Sequence, residues 1–335
     1  MRNKFLAIIF IICFTSIFVN AQDRPNWIDN PNSKYSDAAY LVAIGEGDNR
    51  KAAENNATSN LALIFKSDIK VDNSQIDRYN ELMGDQEAFQ HESNVTKKVN
   101  VSSKQTLFNV KFGESYTSNT GRVFVLAYID KMETADIYNE KISTNTEKIN
   151  FFITTASNTS DKIINYSALN AASLFSLDNE MLIEQLKIIS PEFGNTEDLG
   201  YDHNDITKKS IDAAKEISFS VHILNDSDGK TTAFIKEFLS SKGFIINSNP
   251  ILKIEGSVTY EKLDLGRPEK FVSWNLYLNM LDLEENTLFS TTAKGREGSV
   301  SYDAAISRCV NEIGKRIKSD FGKKLVTYFD NLVKK

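Results

Sequence analysis

The sequence predicts an α+β protein: two small antiparallel-sheet domains with helices packed on one face, joined by a helical segment. Three observations carry that reading. Strand-length apolar runs, several with a period of two, occur in two separate blocks, around residues 39–129 and 217–293. Between the blocks, residues 132–190 place apolar side chains at three and four spacing and contain no Pro or Gly. The whole chain has only 5 Pro and 15 Gly in 335 residues, too few for long low-complexity tracts.

Residues 1–21 read as a secretory signal. Arg2 and Lys4 precede an apolar run from Phe5 to Val19, and Val19-Asn20-Ala21 supplies residues a signal peptidase accepts, so cleavage is expected between Ala21 and Gln22. The run is shorter than the roughly 20 residues a membrane-spanning helix needs, and no later stretch approaches that length. Cys13 is preceded by Ile12, where lipoprotein processing demands a small residue, so the mature chain is expected not to be lipidated.

The first domain is placed at residues 22–131. Trp27 in Pro25-Asn26-Trp27 is expected to dock on the body of this domain. A strand from Ala39 to Gly45 leads into Gly45-Glu46-Gly47, read as a tight turn. Asp48 is read as N-cap of a helix with Ala53, Ala57, Leu61 and Ile64 on one face. Ile69-Lys70-Val71 should re-enter the sheet, and residues 72–103 read as long exposed strands or a hairpin extension. Phe108, Val110 and Phe112 alternate as one strand, Val123 to Ile129 forms another, and Ser118-Asn119-Thr120-Gly121 turns between them.

A helical connector follows over 132–190, with helices from Met132 to Thr155 and Ser160 to Ile189, stopped by Ser190-Pro191. Residues 191–209 are the linker. The last domain, 210–335, opens with a strand from Ile217 to Leu224. A helix with Phe234, Ile235, Phe238 and Leu239 then ends at Gly243, and strand Phe244-Ile245-Ile246 follows. Leu252 to Glu261 and Val272 to Met280 alternate cleanly, and Thr287 to Ala293 is a third antiparallel strand. The final helix carries Tyr302, Ile306, Cys309, Ile313, Ile317, Phe321, Leu325, Tyr328 and Leu332 as one stripe.

Chemistry is sparse. The net charge of −6 opposes a nucleic-acid partner, which needs a basic face, and no polybasic patch addresses anionic lipid. With Cys13 in the leader, Cys309 has no partner for an intramolecular disulfide. Gly45-Glu46-Gly47 sits where a dinucleotide fingerprint would, but Arg50 holds the third glycine position and Glu46 and Asp48 would repel a pyrophosphate. Tyr201-Asp202-His203-Asn204-Asp205 gathers two carboxylates and an imidazole, yet His91 and His222 are distant, and it reads as a solvated loop. Asp226-Ser227-Asp228-Gly229 opens like a calcium loop, but Lys230 and Thr232 break the ligand pattern and Glu237 falls inside a helix. Cys309 lies on an apolar stripe and reads as a buried, inert thiol. No Gly-X-Ser-X-Gly or His-Glu-X-X-His motif occurs. Catalytic, cofactor-binding and metal-ligating residues are therefore all expected to be none.

Pro25-X-Trp27, the segment Tyr40 to Gly47, the Ala52-Ala53…Ala57 helix and the pair around Phe108-Asn109-Val110 and Val123 to Lys131 resemble the twenty-kilodalton LPP lipoprotein family. The same domain forms the N-terminal part of flagellar assembly protein T. The resemblance spans about residues 24–135 and implies a bacterial envelope protein; it brings no catalytic residues. Residues 210–333 are more weakly similar to domains of envelope assembly factors of the curli secretion lipoprotein and TolB N-terminal type, a likeness of fold.

Two roles compete. One is a non-enzymatic binding or assembly module whose sheet edges or middle helices contact another envelope protein or a second copy. The other is an envelope hydrolase or metal-binding enzyme with a site between the domains. The final stripe, at about 45 Å, outruns a typical sheet of about 20 Å. Phe321, Leu325 and Tyr328 are thus expected to overhang as a partner surface, and Leu325→Ala is expected to cost less than Ile313→Ala. N-terminal sequencing of the protein recovered from an envelope fraction should start at Gln22; a start at Cys13, or an intact Met1, contradicts the leader reading.

Overall fold

The computed structural model describes residues 23–65, 78–79, 82, 99–100, 106–192 and 199–334. The leader with its Ala21–Gln22 junction, the Ile69-Lys70-Val71 strand, His91 and most of residues 72–103 lie outside the described residues. The chain forms two units: Met1–Ile64 with Lys97–Asp130, and Phe65–Thr96 with Lys131–Lys335.

In the first unit the described elements are α1 (Asn26–Asp29), β1 (Tyr40–Gly47), α2 (Arg50–Ile64), the short pair β2 (Val99–Asn100) and β3 (Thr106–Leu107), β4 (Lys111–Thr117) and β5 (Val123–Asp130). The main sheet has the order β1-β5-β4 and is antiparallel throughout. Gly45 and Gly47 are not a turn but the end of β1. A Cβ on Gly45 would stand 2.1 Å from the Ala53 carbonyl oxygen and the Ala57 nitrogen. The two glycines let the backbone of α2 press onto the strand, with Ala53, Ala57 and Leu61 fully buried beneath. Ile64 departs from that stripe and is exposed. The cap is Asn49, whose Oδ1 accepts from the Ala52 N–H at 2.9 Å, and not Asp48, which pairs with Arg122.

The strand expected through Phe108 and Val110 starts only at Lys111, because Asn109 is left-handed at φ 58° and breaks the alternation; Phe108 and Val110 are both buried. Trp27 and Ile28 do dock, packing with Tyr116 and Leu126.

The second unit contains α3 (Lys131–Ser157), α4 (Lys162–Ile189), α5 (His203–Ala214), β6 (Ser218–Leu224), α6 (Lys230–Ser241), β7 (Ile245–Ile246), β8 (Leu252–Leu263), β9 (Lys270–Leu281), β10 (Thr287–Ser299) and a long terminal helix. Helix α4 is capped by Asp161, whose carboxylate accepts from the Ile163 and Ile164 N–H groups, and it ends at Ser190. Helices α3 and α4 are antiparallel, and polar pairs run along their seam. The Tyr138 hydroxyl donates to Gln185 Oε1 at 2.6 Å, and Asn145 Nδ2 to Asp178 Oδ2 at 2.9 Å. Buried Asn179 donates to the Ile142 carbonyl and to the Tyr201 hydroxyl.

The sheet order is β10-β9-β8-β6-β7. It is mixed rather than wholly antiparallel: β6 runs parallel to both β7 and β8, since α6 carries the chain back across the sheet before either of them begins. Val272, Trp274, Leu276, Leu278 and Met280 of β9 face the core; Asn275 and Tyr277 face water.

The terminal helix consists of α7 (Tyr302–Arg316), a π-helical turn (Ile317–Phe321) and α8 (Gly322–Asn331). Ala305, Cys309, Ile313, Ile317, Phe321, Leu325, Phe329 and Val333 are all buried, at a strict spacing of four. Four residues of α-helix overshoot one turn by about 40°, so such a stripe creeps round the helix, and the wider π turn absorbs part of the creep. The stripe begins on the sheet core and ends, at Val333, in the cluster formed with Ile149, Phe152 and Phe175 of the helical layer.

The expected overhang of Phe321, Leu325 and Tyr328 is therefore corrected. Phe321 is 0% exposed and Leu325 1%. Strands β8 and β9 have 12 residues each, about 40 Å at 3.3 Å per residue, so the sheet nearly matches the helix. The stripe continues through Phe329 and Val333 rather than Tyr328 and Leu332. Urea unfolding should show Ile313→Ala and Leu325→Ala each losing about 2–5 kcal/mol; a loss for Leu325→Ala well below that for Ile313→Ala would contradict the packing.

Candidate functional site

Of the three expected surface residues, only Tyr328 reaches solvent, and it lines a groove of about 450 Å³ between α8 and the start of β10. Leu288, Phe289, Tyr328 and Leu332 supply its apolar lining, and Lys323 and Lys324 stand on its rim. The groove has a local cause. The β9–β10 register slips between Thr287 and Phe289, so Leu288 is the extra residue of a bulge, a feature that re-aims a side chain. Helix α8 turns Leu332, 39% exposed, to the same opening because its inward stripe has passed to Phe329 and Val333. Burial raises the Tyr328 phenol above its ordinary pKa, and Asp161 and Asp282 add to the shift, so the hydroxyl stays a neutral donor.

The adjoining strand edge is occupied. Lys324 Nζ donates to the Ser290 carbonyl at 2.6 Å, and Arg308 Nη1 to the Gly298 carbonyl at 2.7 Å. Eight residues apart, these two carbonyls share one parity of β10, and cationic side chains from the terminal helix satisfy both. The first unit repeats the device. Asn60 Nδ2 donates to the Ile44 carbonyl and Asn56 Nδ2 to the Glu46 carbonyl, both on edge strand β1. The sequence points to sheet edges as contact surfaces; at these carbonyls the structure closes them.

Two other concavities lie in the second unit. A trough of about 410 Å³ on the water-facing side of the sheet is lined by Ser257, Thr259, Asn275, Tyr277, Thr292 and Lys294. A cavity of about 300 Å³ involves Asn165, Tyr201, Asp205 and Lys209. The Tyr201–Asp205 cluster is not a loop at its centre: Asp202 caps α5 by accepting from the Asp205 N–H at 2.7 Å, and His203 Nδ1 lies 2.8 Å from Ser176 Oγ. Asp205 pairs with Lys209. Asp226 accepts from the Thr231 and Thr232 N–H groups at the start of α6, so the calcium-like loop is a helix-opening turn. Among the described residues no group of three or more His, Cys, Asp or Glu side chains converges as a metal site would. Likewise among the described residues, no helix is long and apolar enough to cross a membrane.

Residues 25–130 match the LPP20 lipoprotein family. In this LPP20-type stretch the features that carried the resemblance have structural jobs: Trp27 is buried against the sheet and the glycines of β1 admit α2. No curated protein matches the chain. Solved structures similar to it include three bacterial proteins. The secreted protein HP1454 from Helicobacter pylori shares 12% identity over 88% of this chain and 99% of its own, with a TM-score of 0.42. A minor lipoprotein from Acinetobacter baumannii shares 14% over 35% and 92%, with a TM-score of 0.25. Lipoprotein GNA1162 from Neisseria meningitidis shares 14% over 30% and 99%, with a TM-score of 0.21.

Cys309 is fully buried on the core stripe, and desolvation pushes its thiol up to about 11. Because the thiolate is the nucleophile, both effects suppress its reactivity. A thiol reagent at pH 8 should label Cys309 only after denaturant unfolds the second unit; rapid stoichiometric labelling of the folded protein would contradict this.

Proposed function

We propose that the protein is a non-enzymatic binding or assembly module of the bacterial cell envelope, and that the groove between α8 and β10 receives a partner protein. The observation that carries the reading is that groove itself: an open apolar channel formed by Leu288, Phe289, Tyr328 and Leu332, with Lys323 and Lys324 on its rim. The capped edge disfavours a partner that adds a strand. The groove instead suits a helix that lays apolar side chains along about two turns of α8 and offers carboxylates to the lysines.

Location in the envelope is supported by the LPP20 match and by the signal-like leader. Because Ile12 precedes Cys13, the proposal is an exported protein held at the membrane periphery by its partners rather than by a lipid. The absence of catalysis is supported by how the candidate groups are used. Asp202 and Asp226 serve as helix caps, Asp205 is in an ion pair, and the buried thiol is held neutral.

Two variants test the reading, Leu332→Glu and Lys323→Glu. Both positions face solvent, so circular dichroism and urea unfolding should stay as in the unaltered protein. Crosslinking in envelope fractions should then give an adduct with one envelope protein that falls about tenfold in Leu332→Glu, the loss expected for a residue central to an interface, and by less in Lys323→Glu on the rim. An adduct of unchanged yield in both variants would remove the groove as the partner site.

A further inference from the structure

We propose that the ion pair between Arg78 and Asp330 is a latch that holds Arg78, Tyr79 and Leu82 closed over the junction between the helical layer and the terminal helix. This inference does not depend on the groove. Asp330 is buried on α8, beside Phe329, and is not among the residues that line the groove. A carboxylate there is stranded in apolar surroundings unless a cation meets it. Arg78, 252 positions earlier in the chain, does so with its Nη2 3.0 Å from Asp330 Oδ1 and its Nη1 3.3 Å from Oδ2, and it is itself four-fifths buried. The paired geometry is the two-pronged form that guanidinium groups make with carboxylates.

The neighbours show what the latch covers. The Tyr79 ring meets Phe175 of α4 edge-on at 5.3 Å. Leu82 is buried in the cluster that contains Phe152, Phe175 and Val333. Close by, Tyr166 packs against both Phe244 and Phe329, at 5.1 and 5.0 Å, where the helical layer meets the sheet core. The Tyr166 hydroxyl, raised to about 12 by burial, stays protonated and so does not compete with Asp330 for the guanidinium.

Tyr79 and Leu82 add apolar contact to the same cluster, but a buried carboxylate that loses its cation is penalised all at once. Without Arg78 in place, the Asp330 carboxylate must reach water, and α8 can allow that only by fraying its last turn. Release of Arg78 with its neighbours and loosening of the helix end are thus one event. It uncovers the face formed by Phe175 and Val333 without disturbing β8, β9 and β10.

Hydrogen exchange measured on the full-length protein tests the latch with Asp330→Asn, which keeps the shape and removes the charge. The amides of Tyr79 and Leu82 and those at the end of α8 should exchange on the order of 100-fold faster, and trypsin should cut after Arg78 far more readily, while protection in β9 is unchanged. The reciprocal double variant Arg78→Asp with Asp330→Arg should restore slow exchange at both places. If Asp330→Asn changes nothing, Tyr79 and Leu82 are held without the pair and the latch is refuted. It is equally refuted if protection falls uniformly, β9 included, because the pair would then belong to the global core.

Discussion

The second unit depends on a four-residue repeat written along one helix. Eight buried positions from Ala305 to Val333 follow it without exception. Because an α-helix does not close in four residues, such a repeat cannot serve one flat partner for long. It serves two in turn: a sheet face at the beginning and a helical layer at the end. The π turn at Ile317–Phe321 sits midway along the stripe, which stays on the sheet core as far as Phe329 before Val333 joins the helical layer. Phe244 and Phe329, stacked at 5.5 Å, mark the place where the two clusters share aromatic surface, with Tyr166 wedged against both.

The first unit depends on a different constraint, the lack of side chains at Gly45 and Gly47. Helix α2 lies so close to β1 that its own backbone occupies the space of two Cβ atoms. That closeness has a second effect. Asn56 and Asn60, one helical turn apart, come within reach of the outer carbonyls of the strand. In both units the helix that covers a sheet also supplies the hydrogen bonds that finish an edge of it.

Much of this was legible in the sequence, and the failures are instructive. Alternation located β8 and β9 to within a few residues, because one face of each strand is core and the other is water. Helices α3 and α4 were readable from spacing and from the absence of Pro and Gly, and Ser190-Pro191 marked the true end of α4. Gly45-Glu46-Gly47 misled because glycine signals a turn and a close approach equally well, and only the partner helix distinguishes them. Asn109 hid a left-handed residue inside what looked like an alternating strand. The parallel pairing of β6 was invisible because local pattern does not encode sheet order. At the candidate site, Tyr328 was found for the wrong reason. A stripe read at mixed three and four spacing put it on one face with Phe321 and Leu325, overhanging the sheet, whereas the strict repeat of four buries those two and turns Tyr328 toward the groove. Leu288, Phe289 and the two lysines carry no sequence signal, since a bulge and a helix phase shift bring them together.

The polar seam between α3 and α4 has a mechanical consequence. Tyr138 with Gln185, Asn145 with Asp178 and Asn179 with the Ile142 carbonyl fall at intervals along the two helices, like teeth engaging a rack. An apolar seam tolerates sliding, since one leucine contact resembles the next. Here a displacement of one residue would break each of these bonds together and leave buried amides without partners. The hairpin of 27- and 28-residue helices is therefore a strut of about 40 Å, compliant to bending but resistant to shear, and a pull applied at one end is delivered at the other without slippage.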